Sequence, residues 1–318
     1  MRGHTPVLHV YRRTGISPSF AVDTVKSALA EALAVYYPLA GKLAVDENGR
    51  IEADCTGEGA LFVAAKSDEY AVDDVDGVVP TAEMRRLFVP AVESHELPCT
   101  VLAIQVTFLR CGGMILGTAI HHAVVDGRCF FEFIKMMSDI ARHVDGTQPV
   151  SLSLDRSLLR ARLTPKVTFD HPEYSPVSSS DDNNAPAAPF VVALFELSKD
   201  QLRSLKLRCS GGRNPPLPCP HSKPSPHTHG KHIGRVLNNI GDEYVRSVVD
   251  YVEVTGISRL PASGKLPRTD LRIVSWLGLQ LYAGDFGWGE PIYVARPHFS
   301  GGGHGYLVRS PRKDGGWD

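Results

Sequence analysis

The apolar positions of this chain change period several times, and each change marks an element. Residues 7–11 read as a short strand, and residues 21–37 as an amphipathic helix with Val25, Leu29, Leu33 and Tyr36 near one face, stopped by Pro38 with Gly41 shortly after. Residues 42–45 and 50–53 flank Asp46-Glu47-Asn48-Gly49, and Asn-Gly between two short strands predicts a hairpin because both residues tolerate positive φ. A further strand is expected at 61–65 and an exposed acidic loop at 67–76. Residues 101–109 and 114–120, joined across Cys111-Gly112-Gly113, should pair antiparallel. After them Phe130, Phe131, Phe133, Ile134, Met137 and Ile140 recur at helical spacing.

From 152 to 184 the period is lost and Pro, Ser, Asp and Asn collect, which predicts a crossover or interdomain linker. A strand at 190–195 should follow, then a helix with Leu202 and Leu205 inward. The prolines between 215 and 226 exclude a regular helix there. A helix is expected around 241–254, and strands at 271–276 and 291–295. The pattern as a whole is α/β.

Composition narrows the partners. Hydrophobic residues at 43% and charged residues at 22% suit a globular chain, and 318 residues suffice for two domains. Lys plus Arg (34) nearly cancels Asp plus Glu (35), so no large field recruits nucleic acid or an anionic membrane, and neither is expected as a partner. No apolar run reaches the length of a membrane span and no signal-peptide core follows the N-terminus, which makes the cytosol the expected address. The six cysteines are scattered without a disulfide framework and read as reduced thiols. Cys209, Cys219, His221, His227, His229 and His232 match no usual structural zinc spacing, so no metal is expected.

Two stretches carry candidate chemistry. His121-His122 ends an apolar strand just before a helix, where a side chain has a rigid support and a free tip, and histidine needs the least tuning to act as a base near neutral pH. The alternative is a histidine that merely bonds backbone at a strand end. Asp126 could orient the imidazole, or cap the following helix and pair with an arginine; spacing does not choose. In Asp285-Phe286-Gly287-Trp288-Gly289, two glycines around a tryptophan fit a tight turn with Asp285 accepting turn hydrogen bonds, a structural reading.

Taken together, these stretches resemble the plant BAHD acyltransferase family, which carries a His-x-x-x-Asp-Gly motif (here His122 to Gly127) and an Asp-Phe-Gly-Trp-Gly motif (Asp285 to Gly289). Further agreement lies in Tyr37-Pro38-Leu39-Ala40-Gly41-Lys42-Leu43, in Cys55-Thr56-Gly57-Glu58-Gly59 and in Ser275-Trp276; within the family the chain looks closest to hydroxycinnamoyl transferases. The resemblance implies two chloramphenicol-acetyltransferase-like domains of mixed sheet and helices: an N-terminal domain of residues 1–188, crossover linker included, and a C-terminal one of 189–318. It implies acyl transfer from acyl-CoA, as co-substrate, to a small alcohol or amine by a monomer, with no permanently bound cofactor. His122 would be the general base, and His121 would point to the opposite face. Asp126 would support the site through an arginine, Trp276 would be a candidate oxyanion donor or simply buried core, and Phe286, Gly287, Trp288 and Gly289 would serve structure with Asp285.

The resemblance is interrupted. A long family segment is missing between Leu207 and Ile233, with the Pro/His stretch in its place, and the final family strand has no counterpart before Asp318. An incomplete second domain and a non-catalytic remnant that only binds acyl-CoA or a partner are therefore the rival expectation. Val274 stands where shikimate-type members often carry a threonine.

Overall fold

The computed structural model describes residues 3–12, 15–47, 49–75, 77, 79–92, 96–144, 154–171, 174, 190–209, 240–256, 271–299 and 301–310. The Pro/His stretch of 210–239, and with it the Cys/His group weighed above except Cys209, lies outside them. The chain divides into two compact units: Met1–Leu152 with Ala187–Leu194 and Ser263–Pro311, and Ser153–Pro186 with Phe195–Ala262 and Arg312–Asp318.

The first unit is built on a mixed five-stranded sheet. β1 (His4–Tyr11) pairs antiparallel with β7 (Met114–His121), which pairs antiparallel with β6 (Leu102–Leu109); β4 (Leu61–Ser67) runs parallel to β6. On the other edge β9 (Tyr293–Ala295) adds to β1 with Leu8 opposite Ala295, which is why a segment far along the chain belongs to this unit and a cut at residue 188 is a statement about chain order only. Both faces of the sheet are covered, so β1 and β7 read as continuous apolar runs. Val7 and Tyr11 face one layer with α1 (Pro18–Val35) and α3 (Gly127–Ala141); Leu8 and Val10 face the other with α2 (Ala82–Phe88). That second layer comes so close that a Cβ on Gly117 of β7 would sit 1.7 Å from the Phe88 carbonyl oxygen, so any larger residue there displaces α2.

The period-based expectations locate most elements. α1 buries Ala21, Val25, Ala28, Leu29 and Ala32 and stops before Pro38. The hairpin forms between β2 (Lys42–Val45) and β3 (Ile51–Asp54), its turn closed by Asp46 Oδ1 accepting from the Arg50 N–H at 2.7 Å. β5 (Cys99–Thr100) extends that small sheet, and β8 (Arg272–Ser275) pairs parallel with β10 (His304–Leu307). α2, β5 and β10 went unread, being too short to show a period.

Three expectations are corrected. The acidic segment 67–76 is not simply an exposed loop: a 3₁₀ turn at Val72–Asp74 buries Ala71, Val72 and Val75, while Asp74 turns back to accept from the Ala71 N–H and Arg110. Apolar burial of its valines outweighs the solvation of the acids, which stay at the rim. Residues 190–195 form no strand; Val191 is 93% and Phe195 83% exposed, and no described strand pairs with them. The expected helix is present as α4 (Lys199–Cys209), but Leu205 is exposed, because no described element covers that face.

In the second unit α5 (Asp242–Thr255) organises the otherwise aperiodic segment 162–171 through two buried polar side chains. Asp250 accepts from the Arg162 N–H at 2.9 Å, Arg162 Nε at 2.6 Å and the Lys166 N–H at 2.8 Å, and the Lys166 backbone bond leads the causes that hold its carboxyl below the usual range. Ser247 Oγ accepts from the Thr168 and Phe169 N–H groups, which leaves its own proton for His171 Nε2 at 2.9 Å. Polar pegs of this kind carry no sequence period, so the segment reads as linker.

Candidate active site

The turn from β7 into α3 places the paired histidines in opposite environments. His121 closes β7: its N–H donates to the Val101 carbonyl, its Nδ1 accepts from the Ala123 N–H at 3.3 Å, and its ring stands edge-on to His4 at 5.1 Å. Burial first, then the neighbouring His4 and His122, lowers its pKa to about 4, so it is neutral at physiological pH. His4 is fixed in turn by Nε2–H donation to the Thr100 carbonyl at 2.7 Å, and burial lowers its pKa as well. This pair is used up in structure.

His122 is the reverse. Its backbone is tied down, with the N–H donating to the Gly3 carbonyl at 3.2 Å, yet its half-buried imidazole makes no hydrogen bond among the described residues. Alternation along β7 puts Leu116 and Ile120 on the α3 side and His121 on the opposite face with Ile115 and Ala119; His122 follows the strand, in the turn that leads to α3. Four residues on, Asp126 is the N-cap of α3: Oδ1 accepts from the Cys129 N–H at 2.8 Å. Of the two roles left open for Asp126, capping is the one in place; among the described residues it forms no ion pair with an arginine. A rigid strand end on one side of His122 and a capped helix on the other hold its ring in a single small region.

Trp276 follows β8 directly and is 8% exposed, packed in the same core layer with its ring centroid 5.7 Å from Phe131 of α3 and 5.9 Å from Tyr306 of β10. Its indole N–H meets no hydrogen-bond partner among the described residues. The turn after it returns to the first motif, since a Cβ on Gly127 would touch Leu279 at 3.3 Å. Between that turn and α3 runs a groove of about 160 Å³, lined by Arg128, Phe131, Glu132, Gly278, Leu279 and Gln280. The structure thus brings Trp276 and the start of α3 into one neighbourhood, while the direct contacts of Trp276 are aromatic.

The second motif is bonded inward. Asp285 Oδ1 accepts from the Gly287 and Gly289 N–H groups, both at 2.9 Å, in a turn whose glycines sit at φ 104 and 100, where side chains rarely go. Tyr11 of β1 donates to the Gly284 carbonyl at 2.7 Å and Ser138 of α3 to the Ala283 carbonyl at 3.0 Å, so the turn is stapled to a strand and to a helix. Phe286 is buried and stacked on Trp288 at 5.6 Å; the buried indole N–H of Trp288 has no hydrogen-bond partner among the described residues.

Two polar residues were missed by the sequence reading. His9, in the apolar strand β1, is fully buried beside Phe130 and Phe131, with neither ring nitrogen hydrogen-bonded among the described residues, and burial drives its pKa to about 3. Arg296, just past β9, donates to the Tyr306 hydroxyl at 2.7 Å and lies over the Phe299 and Tyr306 rings. A histidine inside an apolar run signalled the first; nothing local signalled the second. No group of residues able to hold a metal occurs among the described residues.

Comparison with known proteins agrees along nearly the whole chain. The model of the Transferase family matches residues 2–220 and 227–318. Putrescine hydroxycinnamoyltransferase 1 of Oryza sativa subsp. japonica is 35% identical over 394 residues, covering 99% of this chain and 86% of the relative. That span exceeds the 318 residues here, so the relative carries positions with no counterpart in this chain. Shikimate O-hydroxycinnamoyltransferase of Nicotiana tabacum is 32% identical over 98% of this chain and 87% of its own length. Among solved structures, vinorine synthase superposes with a TM-score of 0.61 at 17% identity, covering 98% of this chain and 84% of that one. TRI101 of F. graminearum, complexed with coenzyme A and T-2 mycotoxin, gives 0.69 at 15% identity over 99% and 90%. Both share the mixed α/β fold.

Proposed function

Because the chain belongs to the BAHD-type Transferase family of acyltransferases, we propose that it moves a hydroxycinnamoyl-type acyl group from its coenzyme A thioester to a small alcohol or amine, with His122 as general base. The observation that carries the reading is the unengaged imidazole of His122 on a backbone held from both sides. His122 takes the proton of the acceptor as its oxygen or nitrogen attacks the thioester carbonyl, and the tetrahedral adduct collapses with loss of the coenzyme A thiolate, which recovers the proton from the imidazolium. The Trp276 indole N–H is proposed as a donor to the oxyanion of that adduct, a contribution of about 3–4 kcal/mol where such a donor is preorganised. Asp126 acts indirectly, by setting the start of α3. Both substrates come and go, so no resident cofactor or metal is invoked. The proposed working form is a cytosolic monomer; no described helix is long and apolar enough to cross a membrane.

A second reading, binding of acyl-CoA or a partner without turnover, is favoured by one observation, the exposed apolar side chains of Val191, Phe195 and Leu207 flanking the interrupted region. Turnover of p-coumaroyl-CoA with pooled alcohols and amines separates the two. Product from the parent chain that falls about 10²–10⁴-fold in His122→Ala supports the transferase. Folded parent protein without product supports the second reading, and equal turnover by the variant removes His122 from the mechanism.

A further inference from the structure

Arg296 is a half-buried cation without a counter-charge among the described residues. Its Nε is fully buried, and among those residues that atom has no hydrogen-bond partner and the side chain forms no ion pair. What surrounds it is neutral: the Tyr306 hydroxyl accepts one N–H at 2.7 Å, and the Phe299 and Tyr306 rings lie 5.8 and 5.3 Å from the guanidinium carbon. Ring faces offset part of the lost hydration but leave the remaining N–H donors on the guanidinium edge unused. A further neighbour is a cation-capable group, His298, whose pKa is lowered by burial first and then by Arg85 and Arg296. A desolvated guanidinium with free forked donors is completed by a planar oxyanion.

Its place in the sheet connects it to the candidate site. Val294 of β9 belongs to the core layer of α3, and Arg296, just past that strand, bonds Tyr306, which packs against the same layer. The contacts run without a break from Arg296 to Tyr306, from Tyr306 to Trp276 and from Trp276 to Phe131 of α3. Because Ala295 opposes Leu8 and the His122 N–H bonds Gly3, Arg296 and His122 lie roughly 16 Å apart at Cα, by strand rise and strand spacing.

We propose that Arg296, with the Tyr306 hydroxyl and the Phe299 ring, forms an oxyanion-binding subsite for a substrate of the reaction. The span points to a carboxylate on the acceptor; a phosphate of the acyl donor is the same chemistry from the other substrate. A dicationic amine is disfavoured at this position by like charge. The inference rests on the transferase reading, so it is tested first by binding, which needs no turnover.

The probes are 3-aminobenzoate and its uncharged amide, titrated by calorimetry into the parent chain, Arg296→Gln and Arg296→Lys, with coenzyme A and pantetheine as the second pair. The expected result is tighter binding of the carboxylate than of the amide by about ten-fold or more, lost in Arg296→Gln and partly kept in Arg296→Lys. Selectivity for coenzyme A over pantetheine that depends on Arg296 instead assigns the subsite to the donor. Equal binding within each pair, or selectivity that survives Arg296→Gln, overturns the proposal. If Arg296→Gln does not fold, Tyr306→Phe, which keeps the ring and removes the hydroxyl, is expected to weaken the carboxylate several-fold, and no change overturns it. Anion selectivity in a protein without transferase turnover sinks the functional reading alone; turnover without anion selectivity sinks this one alone.

Discussion

The two motif turns of this chain, residues 122–127 and 285–289, use the same device to opposite ends. In each, an aspartate accepts backbone N–H groups and fixes a change of direction: Asp126 at the start of α3, Asp285 across Gly287 and Gly289. In the first turn the fixed backbone leaves one polar side chain over, the imidazole of His122, with no hydrogen bond among the described residues. In the second, Phe286 and Trp288 turn into the core and the turn is stapled by Tyr11 and Ser138. The difference teaches that a turn whose own hydrogen bonds are satisfied is equally suited to present a reactive group or to lock a strand to a helix; the residue left over decides which.

That contrast is sharpest in His122→Ala against Phe286→Ala. The first is expected to cost transfer about 10²–10⁴-fold while the thermal midpoint stays within a degree or two. Phe286→Ala should cost about 3–5 kcal/mol of stability, measured by denaturant unfolding, with specific activity per folded molecule retained. Crossed outcomes would break the comparison. Asp285→Ala orphans two backbone N–H groups and should cost about 1–3 kcal/mol. Asp126→Ala removes a single cap bond and should cost about 1 kcal/mol, with Asp126→Asn close to neutral.

The smallest effect is in pH. His121 has a folded pKa of about 4 against an ordinary 6.5, so the unfolded chain binds more protons between those values. Its contribution to stability is complete above pH 6.5 and is lost progressively as pH falls through 4. Unfolding measured from pH 7.5 to 4 should show that slope reduced in His121→Gln relative to the parent chain. An unchanged slope in the variant would remove His121 as its source.

Legibility followed distance along the chain. β1, α1, the β2–β3 hairpin, the β6–β7 pair and α3 announce themselves because their periods and turn residues act over a few neighbours. His122 was legible too, since a histidine at a strand end before a helix is a local pattern. The role of Asp126 was not, because orienting the imidazole and capping the following helix demand the same residue at the same place and only coordinates choose between them. Leu205 misled: helical spacing supplied an inward face, but burial needs a covering element, which is a property of the rest of the chain.

What the sequence by itself determined, then, is the family, the order of the local elements and the two motif turns. Tertiary structure alone decided that β4 runs parallel to β6, that β9 adds to β1 and draws residues 271–310 to the side of the first motif, and that His121 is consumed while His122 is spared. It also decided that Arg296 stands without a carboxylate among the described residues. The physical reason is the same in each case: strand partners and counter-charges are chosen across hundreds of residues by register and desolvation, and neither leaves a mark on the local period.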